Sequence, residues 1–240
     1  MIKQNKNNLN QSATYAFVAS STIFSLLLVA FFVAEPAISQ AVDSNDFYIR
    51  TTVTSENSFT VQPNNVSMVG SISGLTGGQA TGTTQFAVLT NSASGYTVSI
   101  DFDYNGDVDA EAMAGDTDGS QAIRDYDPTN GTVGVTEPSF GYTASSAAQF
   151  AYTVTSSSSP DTDQSFKNDT SACNAGGLQT ALTCWKAPSK TPFQIVTRGS
   201  SAPTGATSTI TFNITVPNAP VPVPEAQTYT ATATLSLLAI

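Results

Sequence analysis

The sequence predicts an all-β fold, an antiparallel sandwich of two sheets set behind a short apolar leader. Three observations predict it. Apolar and polar residues alternate with period two along several stretches of the chain, as in strands with one face in a core and one in water. Turn-forming clusters separate these stretches at hairpin spacing. Beyond the leader, no segment carries a convincing apolar stripe at helical spacing. A parallel sheet would need crossover helices, so the strands are read as hairpin-connected and stacked in two layers.

The leader comes first. Lys3 and Lys6 are the only charges ahead of an uncharged run from Asn8 to Ala34, whose apolar centre holds Phe17, Ile23, Phe24, Leu26 to Val29 and Phe31 to Val33. A basic start followed by an apolar run is the layout of a secretory signal. Pro36 ends the helix, having no N–H to donate and a ring that clashes with the preceding turn. Small residues at Ser39 and Ala41 favour a cut after Ala41, with Ala37 and Ser39 offering a second one. Residues 1–41 are therefore read as a signal peptide and 42–240 as one β domain. The alternative is an uncleaved N-terminal anchor, because about 20 apolar residues can span a bilayer. Both readings place the rest of the chain outside the cytoplasm, secreted or at the cell surface, with no membrane contact except through this segment.

The strands follow in order. Short candidates run from Phe47 to Thr54, Phe59 to Gln62, Val66 to Ile72 and Thr84 to Thr90. Tyr96, Val98, Ile100 and Phe102 alternate cleanly, as do Phe150, Tyr152 and Val154. Phe193 to Thr197 is a further short candidate. Ile210, Phe212, Ile214 and Val216 alternate with Thr209, Thr211, Asn213 and Thr215. Tyr229, Ala231, Ala233, Leu235 and Leu237 do the same at the C-terminus. That makes about nine strands, with turns over Gly74–Gly82, Asn91–Gly95 and Ser200–Gly205. Two long insertions interrupt the series: Asp103 to Ser139, acidic and Gly-rich, and Ser156 to Pro192, which carries both cysteines and the only tryptophan, Trp185. Loops this long in a compact domain are usually functional or disordered, so activity is sought there. Prolines 217, 220, 222 and 224 mark an extended connector to the last strand.

Composition narrows the function. Removing Glu35, Lys3 and Lys6 with the leader leaves 17 acids against six bases, a field that repels nucleic acid and anionic lipid as partners. The chain has no histidine, which excludes Ser-His-Asp and Cys-His nucleophiles and His-based metal hydrolases. Carboxylate pairs able to hydrolyse glycosides are available in the acidic insertion, but their density is better explained by solvation or cation binding, and no enzyme is expected.

Cys173 and Cys184 are the only cysteines, and an even count in an exported chain predicts a disulfide, worth about 3 kcal/mol for so short a loop. Two thiolates without histidine make a poor zinc cage. The run Asp101, Asp103, Asn105, Asp107, Asp109, Glu111 places oxygens at alternate positions with a glycine at the sixth, as a calcium loop requires, though the twelfth position is Ala112 where a bidentate Glu belongs. The plainer reading makes Asp101 and Asp103 the wet face of a strand, with Asn105-Gly106 turning a hairpin. Trp185, Tyr126 and Tyr142 are candidates for stacking on a sugar; packing of Trp185 over the disulfide is the plainer reading. Asn65, Asn130, Asn168 and Asn213 begin glycosylation sequons.

The early Phe47-Tyr48-Ile49-Arg50, the Phe59-Thr60-Val61 strand, the segment Thr90 to Ile100 with its Gly95-Tyr96-Thr97-Val98-Ser99-Ile100, and the ending Tyr229 to Leu235 resemble the spore-coat-U-like secreted pilins and the WxL-like surface domains. The resemblance implies an immunoglobulin-like sandwich acting as a pilus subunit or adhesion module. The early-strand cysteine of the first family and the Trp-x-Leu signature of the second are missing. A last strand that ends at the C-terminus after a Pro-rich connector also suits self-association through an open edge or an exchanged strand; an ordinary edge strand is the plainer reading. The chain is thus expected to be a non-enzymatic structural or adhesive surface protein, partnered by itself, other surface proteins or glycans; the alternative is a secreted carbohydrate-binding module, with calcium as the one candidate cofactor.

Overall fold

The computed structural model describes residues 5–33, 48–104, 111–128, 138–144, 146–180 and 184–240. The chain divides into two compact units, Met1–Thr52 and Val53–Ile240. In the first, helix α1 spans Asn5–Val33. Its polar hydroxyls bond back onto the helix: Ser20 Oγ donates to Phe17 O at 3.0 Å, and Thr22 Oγ1 to Val18 O and Ala19 O at 3.0 and 2.9 Å, which satisfies a donor that an apolar run leaves without partners. Among the described residues no helix is long and apolar enough to cross a membrane. Ala37, Ser39 and Ala41 lie outside the described residues.

The expected strand from Phe47 to Thr54 does not form over its described part, 48–54. Tyr48 and Ile49 are 80% and 88% exposed. Further along, an amide replaces the ladder: Asn91 Nδ2 donates to Thr54 O at 3.0 Å while its Oδ1 accepts from Glu56 N at 2.7 Å.

The second unit is all-β and sandwich-like. Its strands, among the described residues, are β1 (Asn57–Val61), β2 (Val69–Ser73), β3 (Gly77–Thr90), β4 (Tyr96–Phe102), β5 (Met113–Gly115), β6 (Ala122–Asp125), β7 (Ser139–Phe140), β8 (Gln149–Ser156), β9 (Cys184–Trp185), β10 (Phe193–Arg198), β11 (Ala202–Val216), β12 (Tyr229–Ala231) and β13 (Ala233–Ala239). The broad sheet runs β1-β3-β11-β8-β6-β5-β12 with β2 added to β3; a small sheet runs β10-β4-β13, and β7 pairs with β9.

Register explains which side chains meet. Ile210, Phe212 and Ile214 of β11 stand opposite Val154, Tyr152 and Phe150 of β8, so both alternating sets land on one face. That face packs against Tyr96, Val98, Ile100 and Phe102 of β4, each at most 3% exposed. Side chains of this size each contribute about 1.5–3 kcal/mol on burial. Phe102 meets Phe150 edge-on with ring centres 6.2 Å apart, the arrangement aromatic pairs prefer.

The insertions are built into this frame more than sequence reading expected. β5 and β6 bring Met113 and Ile123 of the first into the core, and Phe166 of the second is 2% exposed. β6 runs parallel to β8, through Arg124↔Gln149 and Asp125↔Phe150, the one exception among otherwise antiparallel strand pairings of the described residues. β3 reaches back to Gly77, across most of the expected turn. Gly78 (φ +146°) faces the backbone of Ser71 so closely that any Cβ would collide with it, so glycine here permits a tight hairpin.

The C-terminal alternation from Tyr229 to Leu237 is two strands. β12 pairs with β5 of the broad sheet and β13 with β4 of the small one. The chain changes sheet at Thr232, whose carbonyl accepts from Asp103 N at 3.0 Å.

Candidate functional site

The two edges of the small sheet differ. β10 holds Ile195 and Val196 at 0% exposure, and its register slips between Gln194 and Val196. Its outer side is covered by the chain around a short 3-10 turn, where Asp163 N donates to Ile195 O at 2.9 Å and Thr162 bridges Val196. An ion pair of 2.7 Å between Arg198 and Asp161 closes that end. The pair sits beside Tyr96, whose hydroxyl is held above its usual range, first by burial and then by the Asp161 carboxylate, with Arg198 opposing.

β13 has none of these features. It pairs with β4 without a slip from Ala233↔Phe102 to Ala239↔Tyr96 and contains no charged residue and no proline. Among the described residues no strand pairs with its other side. Leu235 and Leu237 are half-buried, while Leu238 and Ile240 are 69% and 54% exposed.

Beside β13 the two sheets part. A cleft of about 480 Å³ opens there, floored by Met68, Phe102, Met113, Phe150, Phe212 and Leu235, with Asn64, Asn65 and Thr232 also in its wall. Sequence reading did not find it, because its walls come from segments remote along the chain.

The three aromatic residues proposed for sugar stacking do come together, but not as a platform. Trp185 and Tyr126 are 2% and 4% exposed and pack with Ala151 on the outer face of the broad sheet. Tyr142, half-buried, lies edge-on to Tyr126 with ring centres 4.7 Å apart and 5.5 Å from Trp185. Its hydroxyl donates to Gln149 O, and burial pushes that hydroxyl well above the usual phenol range. Rings hidden in this way cannot offer a face to a sugar, so the ligand-binding assignment is corrected: the trio is a second small core.

The acidic run is used locally. Asp101 lies on β4 between buried Ile100 and Phe102, and the Asp103 side chain is exposed. Asn105, Asp107 and Asp109 lie outside the described residues. Glu111 Oε2 accepts from Asp125 N at 2.7 Å, and Asp125 in turn accepts from Ala112 N at 3.1 Å and from the Tyr104 hydroxyl. These carboxylates pin backbone at the base of the first insertion. Among the described residues no three Asp, Glu, Cys or His side chains gather as a metal cage.

Cys173 and Cys184 are bonded, with Cα atoms 5.7 Å apart, as the cysteine count predicted. The bridge closes a loop organised by Asn168, whose backbone exchanges hydrogen bonds with Leu178, and by Asp169, whose carboxylate caps the Ser171 and Ala172 amides. Those amides hold the Asp169 carboxyl below its usual range. Of the four sequons, Asn168 and Asn213 are 0% and 1% exposed, so neither can accept a glycan in the folded protein. Asn65 is exposed, and Asn130 lies outside the described residues.

No protein-family model and no curated protein matches the chain.

Proposed function

We propose that this is an exported, non-enzymatic structural or adhesive protein of the cell surface, whose copies associate through the open edge of β13. One observation carries the reading: β13 is regular and uncharged, and among the described residues no strand pairs with its outer side. Exposed edges of this kind template pairing with another chain, and natural proteins normally blunt them with charge, proline or a bulge. An added strand gains main-chain hydrogen bonds, and the exposed Leu238 and Ile240 give it apolar contact.

The basic-then-apolar start of the chain supports export, and a disulfide suits an oxidising compartment. The absence of histidine from the sequence, together with the use of Glu111, Asp125 and Asp169 to hold backbone amides, supports a role without acid–base chemistry. Burial of Trp185 and Tyr126 counts against the sugar-binding alternative.

Sedimentation velocity over a concentration series tests the reading. The wild type should associate reversibly, and Ser236→Lys, which puts a charge in the middle of β13, should shift association to at least tenfold higher concentration. A wild type that stays monomeric throughout would end the proposal.

A further inference from the structure

The cleft beside β13 is a second feature, independent of the edge itself. We infer that it is a binding site for an uncharged, largely apolar small molecule. Its volume, about 480 Å³, falls in the range of small-molecule sites, which are mostly apolar with a few polar groups that orient the ligand. Among its described lining residues there is no Asp, Glu, Lys, Arg or Cys. This is selective: the second unit as a whole is strongly acidic, yet the described lining presents no charge to pair with or repel one.

The apolar part suits a flat or elongated ligand. Phe150 and Phe212 stack with ring centres 6.0 Å apart; Phe150 and Phe102, 2% and 3% exposed, back the floor, while half-buried Phe212 and Tyr229 carry the aromatic surface that reaches it. Met68 and Met113 add unbranched, polarizable side chains that adapt to irregular shapes. Asn65 and Thr232, both exposed, supply amide and hydroxyl groups where a polar end of the ligand would sit. A charged ligand would lose its hydration here without gaining a counter-charge, so the site should discriminate by charge.

Fluorescence titration of the full chain, disulfide intact, tests this with two dyes of nearly the same ring frame, neutral N-phenyl-naphthylamine and its anionic sulfonated counterpart. The neutral dye should bind saturably at one site per chain and at least tenfold more tightly than the sulfonate. Ala231→Phe and, separately, Ala233→Phe fill the cleft from β12 and β13 and should each weaken the neutral dye at least tenfold, with an unchanged circular-dichroism spectrum showing the fold intact. Absence of saturable binding, equal affinity for both dyes, or binding untouched by a folded filling variant would overturn the inference. Sedimentation of the same samples keeps the two proposals apart: loss of dye binding with association intact defeats this one alone, and the reverse defeats only the edge reading.

Discussion

β10 and β13 flank the same strand and belong to the same three-stranded sheet, yet one edge is closed and the other open. β10 has a register slip, an ion pair at its end and a backbone hydrogen bond from Asp163 to Ile195. β13 keeps an unbroken register and no charge. The comparison teaches that an open edge is not imposed by this fold. The second insertion supplies the cover for β10, while among the described residues no strand pairs with the outer side of β13.

The largest expected effect sharpens the contrast in the two strands' own packing. Ile195→Ala, at 0% exposure, should cost about 2–5 kcal/mol in urea unfolding. Leu238→Ala, at 69% exposure, should change stability by about 0.5 kcal/mol or less while weakening association. A large stability loss at Leu238 would place β13 in the core and remove the distinction.

A smaller effect should break the contrast by opening the closed edge. Asp163 has φ −55°, already suited to proline, so Asp163→Pro removes its N–H with little backbone strain. The lost bond to Ile195 and the lost side-chain cap on Ser165 should cost about 1–3 kcal/mol. In a Ser236→Lys background, the same change should restore association through the uncovered β10, measured by sedimentation.

Much of this frame was legible in the sequence. Phe150, Tyr152, Val154, Ile210, Phe212 and Ile214 alternate because one face is core, and the cysteines predicted their bond. Other features depended on contacts that local pattern does not encode. The run from Tyr229 to Leu237 keeps its alternation across Thr232, so the change of sheet leaves no mark in hydropathy. Glycines 77, 78 and 82 read as a turn but lie in β3, where a missing side chain lets strands approach. Phe47 to Thr54 has strand-like composition, but Asn91 takes the backbone hydrogen bonds at 54 and 56. Tyr126, Tyr142 and Trp185 were named from their ring chemistry, and only the folding of both insertions over one sheet face shows that they are buried. Glu111 reads as a cation ligand from its spacing along the chain, and only the fold shows its carboxylate accepting from the Asp125 amide.

Hydrogen–deuterium exchange, compared between dilute and concentrated protein, measures the central claim most directly. The account predicts that amides of β13, Ala233–Ala239, become protected as the protein associates while those of β10 do not change. Association that leaves β13 exchanging at its dilute rate, or that protects β10 in its place, would contradict it.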